Sequence, residues 1–305
     1  MNQSFGKSLP EKFVTNIRSL CGKKGELWLY NLPDLISQLE REWSITVGSH
    51  FPTLSYNYVA SAKTFDGEPA VLKIALPVES TEMFGEMKYL SLLDGHGCPR
   101  LLRKNEQIPA ILIERAVPGE TLREIFRGRE DDALPVLLTM MERTRRAVPP
   151  DTSNLIQLDD WFDGLRRADD TDFPTAYAER SLQYYQEMSS EKEKIFLLHG
   201  DLHHENILSA AREPYLAIDP KAIVGHIGYE IAVFLNNHLW WIEWKTDAKK
   251  SLAYAVDLYA TEFGMTAHDL RKWAFSQMVL TTWWSYDEMK ENFAEGLGFA
   301  DIWEV

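Results

Sequence analysis

Leu197-Leu198-His199-Gly200-Asp201-Leu202-His203-His204-Glu205-Asn206-Ile207-Leu208, followed by Leu216-Ala217-Ile218-Asp219, reads as an apolar segment, an acid-bearing loop and an apolar strand ending in a second acid. The loop carries an amide, Asn206, five residues after Asp201, and Asp219 lies thirteen residues beyond it. This is the layout that phosphoryl transfer needs. Asp201 can take or orient the proton of an attacking hydroxyl, while the Asn206 amide oxygen and the Asp219 carboxylate can hold magnesium against nucleotide phosphates. Magnesium favours a few hard oxygen ligands and leaves the rest of its shell to phosphates and water.

Outward from this stretch the chain changes character near residue 115. Residues 10–44 have helical spacing, with Phe13, Ile17 and Leu20 on one face and a second run from Leu32 to Trp43. Tyr56 to Ala62 alternates as a strand, Phe65 to Glu68 makes a turn, and Pro69 to Ala75 is its hairpin partner. Residues 79–94 are helical, and Leu101-Leu102 and Ile111 to Glu114 are two further strands before the break Val117-Pro118-Gly119. The remainder is mainly helical, over roughly 121–128, 130–147, 158–167, 173–189, 228–241, 247–263 and 266–286. We therefore expect two lobes, 1–115 (with the leading helices 10–44) and 116–305, with a nucleotide cleft between them. The fold class is α+β: a small antiparallel sheet with a helix, then a large helical lobe.

Lys73 lies inside the strand Val71-Leu72-Lys73-Ile74-Ala75. A lysine so placed reaches the α- and β-phosphates of a nucleotide when a helix glutamate holds it. Glu86, thirteen residues on, is the expected partner, ahead of Glu82 and Glu79.

Composition narrows the class. The 305 residues are 45% hydrophobic and 26% charged, as in a soluble globular protein. No basic n-region with an apolar core opens the chain, and no apolar run reaches the roughly 20 residues a bilayer span needs. Cys21 and Cys98 are too few for a disulfide framework, which fits a reducing, cytoplasmic setting. A net charge of −14 argues against nucleic acid and is compatible with a cationic small-molecule acceptor. Glu230, Asp287 or Glu288 is expected to line the acceptor pocket, the last two beside Trp283-Trp284, where stacking and charge would hold an ammonium or guanidinium group.

The Lys73–helix glutamate pair, His199-Gly200-Asp201 with Asn206, and Ile218-Asp219-Pro220 resemble the aminoglycoside phosphotransferase branch of the protein-kinase-like fold. Gly25-Glu26-Leu27-Trp28-Leu29, Asp66 through Lys73, Leu112 through Gly119 and His199 through Lys221 resemble the streptomycin 6-phosphotransferase and hydroxyurea phosphotransferase family more closely. The likeness runs from about residue 25 to the C-terminus. It implies a two-lobed kinase using ATP and magnesium, with Asp201 as base, Asn206 and Asp219 as metal ligands, and Lys73 with Glu86 as phosphate anchor. It also implies a hinge at Glu114 to Ala116 against adenine, and antibiotic resistance as the role. A metabolite kinase on the same scaffold and a catalytically silent nucleotide-binding protein are the alternatives, and the oligomeric state is left open.

The chain departs from the pattern in two places. No glycine-rich loop covers the phosphates; Pro52 to Asn57 stands there, with Ser55 or backbone amides as the substitute. After Lys221, His226 replaces a carboxylate while Glu230 keeps an acid. His199 and His203 have the spacing of a zinc pair, but in a magnesium-type loop His199 is better read as a buried brace. The tryptophans of the second lobe are expected mostly in packing.

Overall fold

Residues 10–44 do form helix, and a glycine divides it. The structure is a computed structural model that describes residues 9–78, 82–242, 245–289 and 292–304. Helix α1 (Glu11–Trp43) is kinked at Gly22, whose φ of 51° and ψ of −130° lie outside helical space. Phe13 and Ile17, then Trp28, Leu32, Ile36, Leu39 and Trp43, recur at three- and four-residue intervals and are buried.

The chain divides into two compact units, Met1–Val117 and Pro118–Val305. In the first, strands β1 (Ile45–His50), β2 (Tyr58–Thr64), β3 (Pro69–Ile74), β4 (Leu101–Asn105) and β5 (Ala110–Glu114) form an antiparallel sheet in the order β1-β2-β3-β5-β4. Helix α2 (Glu82–Leu93) stands between β3 and β4 in sequence. Glu79, the third candidate for the Lys73 partner, lies outside the described residues. Ala70, Leu72 and Ile74 join the core that α1 buries, together with Tyr58, Ala60, Ala110 and Leu112. Strand alternation then turns Val71 and Lys73 to the opposite face. Strand β1 was not among the expected elements: Ile45 is buried but the polar stretch after it shows no alternation.

In the second unit a helical mass encloses two small sheets. Helices α3 (Leu122–Ile125), α4 (Leu134–Thr144), α5 (Leu158–Asp163), α6 (Thr175–Met188), α7 (Ile227–Ile242), α8 (Ala248–Glu262), α9 (Ala267–Met289) and α10 (Ala294–Asp301) share one hydrophobic core. The expected helix 130–147 begins as a 3-10 turn, Glu130–Ala133, before α4, and ends at Thr144. Strand β6 (Pro118–Thr121) pairs with β9 (Ile207–Ala210), which pairs with β10 (Tyr215–Ala217). Strand β11 (Ile223–His226) lies between β7 (Ile156–Gln157) and β8 (Ile195–Leu198). The expected break at Pro118-Gly119 is thus the start of a strand, and Pro118 opens it, where a missing N–H is tolerated. Strands of two to four residues are too short for alternation to show in the sequence. No helix among the described residues is long and apolar enough to cross a membrane.

Candidate active site

The loop Gly200–Asn206 connects β8 to β9, and the strands around it fix both its ends. Leu198 pairs with Ile223 and Leu197 with Val224, while Ile207 pairs with Ala217. The Lys221 N–H donates to the His199 carbonyl at 2.7 Å, and the Ile218 N–H donates to the Asn206 carbonyl at 2.8 Å. His199 is fully buried and bridges the two segments: Nδ1 accepts from the Asp201 N–H at 3.3 Å, so Nε2 carries the proton to the Ile218 carbonyl at 2.9 Å. Burial lowers its pKa to about 3, which keeps the ring neutral and this tautomer in place.

Asp201 stands at the centre. Asn206 Nδ2 donates to its carbonyl at 2.9 Å and to its Oδ2 at 3.2 Å, and His203 Nε2 lies 3.6 Å from Oδ1. Burial raises the Asp201 pKa, and the neighbouring His203 and Lys221 oppose the rise. A carboxylate poised in this way suits a group that must accept a proton.

With its NH₂ committed to Asp201, Asn206 presents Oδ1 as an acceptor. The hairpin sets Asn206 opposite Ile218, next to Asp219. Asp219 has φ of 59°, a left-handed conformation that aspartate adopts more readily than most residues and that recurs at functional sites. An amide oxygen and a carboxylate are the hard donors magnesium takes, so the residues present fit that ion. Among the described residues no group of three or more histidine, cysteine and acidic side chains could hold a metal, so the zinc reading of His199 and His203 has no support.

In the first unit, Lys73 Nζ and Glu86 Oε2 are 2.6 Å apart, with both side chains buried. Glu86 is therefore the acid that meets Lys73. Ser55 is exposed in the loop before β2, and its carbonyl accepts from Asn16 Nδ2 at 3.0 Å. Glu114 closes β5: its N–H donates to the Arg100 carbonyl and its Oε2 accepts from the Arg100 N–H at 3.1 Å, and Ala116 follows as a buried residue.

A pocket of about 230 Å³ opens beside Asp201 within the second unit. Gly200, Asp201 and Lys221 line it on the loop side; Tyr229, Val233, Asn236, Asn237 and Trp240 come from α7, and Gln277, Thr281 and Trp284 from α9. Both helical sets follow three- and four-residue spacing, so each is one helix face. Trp161 completes the wall, its ring 4.7 Å from that of Trp284 in edge-to-face contact.

Of the acids expected to line the acceptor pocket, Glu230 and Asp287 are not among its described lining residues. Glu230 is fully buried, and its Oε1 and Oε2 accept from the His199 and Gly200 N–H groups at 3.0 and 2.7 Å. Starting one position after Tyr229 on α7, it points to the loop backbone and not into the pocket. Burial raises its pKa to about 8 against the opposing pull of those two hydrogen bonds. Asp287 pairs with Arg167 at 2.9 Å. The Glu288 side chain lies outside the described residues. His226, in place of a carboxylate, caps the start of α7 by accepting from the Gly228 N–H at 3.0 Å and stacks on Trp273. The sequence does not announce Trp240 and Trp161 as pocket residues: the Tyr229–Val233–Asn236–Trp240 spacing is indistinguishable from a core stripe until α9 is placed opposite.

The chain is similar to known proteins. The streptomycin 6-kinase of Streptomyces griseus is 25% identical over 297 residues, covering 94% of each chain. The hydroxyurea phosphotransferase of Kitasatospora aureofaciens is 26% identical over 282 residues, 88% of this chain and 77% of that one. Among solved structures, amicoumacin kinase hAmiN in complex with AMP-PNP, Ca2+ and Ami superposes with a TM-score of 0.59 at 16% identity, covering 90% of this chain and 92% of that one, a likeness of fold. The model of the aminoglycoside/hydroxyurea antibiotic resistance kinase family matches residues 43–288, so the chain belongs to that family and is a phosphotransferase with a hydroxyl acceptor.

Proposed function

We propose that the protein transfers the γ-phosphoryl group of ATP to a hydroxyl of a small molecule held in the pocket at Asp201. The observation that carries this reading is the position of Asp201: it lines the pocket while its backbone and carboxylate are bonded to Asn206. Asp201 receives the proton of the attacking hydroxyl, and His199, Asn206 and Glu230 keep its carboxylate and backbone in place. Asn206 and Asp219 would hold magnesium, which when bound neutralises charge on the nucleotide phosphates. In the first unit, Lys73 with Glu86 anchors phosphate, Ser55 or the backbone amides of its loop cover it, and the Glu114–Ala116 backbone meets adenine. Catalysis of this kind rests on positioning and charge neutralisation.

The relatives' names make streptomycin the first acceptor to try. ADP release from ATP and magnesium, measured across streptomycin, other aminoglycosides, hydroxyurea, amino alcohols and sugars with Asp201→Asn in parallel, tests the reading. Acceptor-stimulated turnover lost in the variant is expected. ATP binding without stimulation by any acceptor would replace it with a silent nucleotide-binding protein.

A further inference from the structure

The two oxygens of the Asp201 carboxylate have different neighbours. Asn206 Nδ2 donates to Oδ2 at 3.2 Å, while His203 Nε2 stands 3.6 Å from Oδ1. The first contact is a hydrogen bond and the second is too long for one. Oδ1 is therefore the oxygen left to receive a proton, and the donor beside it is unspent. The His203 ring is held in one orientation: Nδ1 accepts from the Glu205 N–H at 3.2 Å, and its carbonyl accepts from the Asn206 N–H at 3.0 Å. With Nδ1 occupied as an acceptor, the proton the ring can give is on Nε2, the nitrogen facing Asp201. Glu205 is in turn tied to α3, since Arg123 Nη1 donates to its Oε1 and the Arg123 N–H donates to the His204 carbonyl at 3.3 Å. A capping box of Thr121 with Glu124 fixes the start of that helix. The His203 side chain is 13% exposed, and no acceptor among the described residues lies within hydrogen-bond distance of Nε2.

The side of Asp201 on which the ring stands decides what it can meet. Gly200, Asp201 and Lys221 form the loop side of the pocket, and His203 is not among the described lining residues. An acceptor seated in the pocket offers its hydroxyl to Oδ1 from within. The phosphoryl group has to reach that hydroxyl from outside the pocket, in line with its leaving oxygen. A hydroxyl oxygen ~2.7 Å from Oδ1 brings the phosphorus it attacks, with the oxygens on that phosphorus, toward the His203 donor. Negative charge on those oxygens is what the transfer must stabilise. An N–H already fixed in place does so without reorganising during the reaction.

We infer that His203 is a further catalytic residue, whose Nε2–H donates a hydrogen bond to a non-bridging oxygen of the phosphoryl group passing beside Asp201. This role rests on the phosphoryl transfer proposed above. The acceptor oxygen bonds to the γ-phosphorus and its proton passes to Asp201 Oδ1. The bond from that phosphorus to the bridging oxygen of ADP breaks, and ADP leaves with the electron pair. His203 keeps its proton throughout, which separates its part from that of the base.

The test reads binding and needs no acceptor. Isothermal titration calorimetry compares affinity for ADP with magnesium against affinity for ADP, magnesium and aluminium fluoride, a mimic of the phosphoryl group in transit. The native protein should bind the fluoride complex more tightly than ADP. His203→Phe keeps a ring without a donor, and His203→Leu removes the ring as well. Each should lose ~tenfold or more in affinity for the fluoride complex, the scale of one hydrogen bond to a charged group, with ADP affinity unchanged. Retained ADP affinity also shows that the variant has folded. His203→Gln places an N–H at a similar reach and should restore tight binding. An equal loss for ADP and for the fluoride complex overturns the role, because it marks a disturbed loop. Unchanged affinity for both, or His203→Gln no better than His203→Phe, overturns it as well and leaves the phosphotransferase reading standing. A native protein that gains nothing from aluminium fluoride defeats the transfer proposed at Asp201, and the role of His203 with it.

Discussion

The carboxylate of Glu230 accepts a 2.7 Å hydrogen bond from the backbone N–H of Gly200, the residue immediately before Asp201. Together with the bond from the His199 N–H, it ties the first turn of α7 to the loop that carries Asp201. Glu230→Ala leaves two buried donors unpaired, at about 1–3 kcal/mol each. A matching fall in the urea midpoint and a large fall in kcat are expected; an unchanged midpoint would show that the loop does not depend on this brace.

The same residue sets a pH dependence. Burial raises its pKa from the ordinary 4.5 to about 8, so the folded state holds a proton there that the unfolded chain has released. The stability this contributes is complete below pH 4.5 and is lost as pH rises through 8. Urea unfolding of the native protein and of Glu230→Gln between pH 5 and 9 isolates it. The difference in stability between the two should change with pH across this window, the native protein losing more.

Lys73 and Glu86 form a buried ion pair, and such pairs are costly to break one partner at a time. Lys73→Met alone should destabilise by about 3–5 kcal/mol, because it leaves a buried carboxylate uncompensated. Lys73→Met with Glu86→Leu should recover most of that stability while turnover stays lost. Recovery of turnover in the double variant would remove the phosphate-anchoring role.

Lys221 and His203 hold down an Asp201 pKa that burial raises. The base must be ionised to accept a proton, so activity falls on the acid side as Asp201 protonates. Lys221→Met removes one of those cations, raises the Asp201 pKa further and should move the acidic limb of the kcat/KM profile to higher pH. A limb that does not move would assign it to another group.

Gly200 has φ of 84°, and a Cβ there would sit 2.3 Å from Ile223 Cδ1. Gly200→Ala combines left-handed strain of roughly 1–2 kcal/mol with overpacking of typically 1–3 kcal/mol. Denaturation should show a loss of a few kcal/mol, and ADP release should be largely abolished.

Metal dependence has its own readout. ATP with magnesium should raise the thermal midpoint more than ATP alone, and Asp219→Ala should remove the difference. An equal rise without magnesium in the native protein would set aside Asn206 and Asp219 as ligands.

The fold class was legible from the residues alone, and so was the local geometry of the loop after β8. Asp201, Asn206 and Asp219 sit at fixed separations along one hairpin, and the local strand pairing of Ile207 with Ala217 brings them together. Lys73 in its strand and Glu86 in the next helix were legible for the same reason: strand alternation and helical spacing are local properties. The long helices of the second unit carried the periodicity of a buried face. The short strands β6, β7 and β11 did not, because a few residues cannot display a period.

Packing set the direction of individual side chains where helices meet. Glu230 and Tyr229 are neighbours in sequence, yet one braces the loop and the other lines the pocket, since successive residues on a helix point about 100° apart. Hydrogen bonds from Trp303 Nε1 to Asn236 Oδ1, from Asn236 Nδ2 to Gln277 Oε1 and from Gln277 Nε2 to Thr281 Oγ1 join α9 to α7 and to the segment after α10. No spacing in the sequence announces them, because hydrogen-bond direction is set by which donor is buried against which acceptor, and that is settled only when the helices pack.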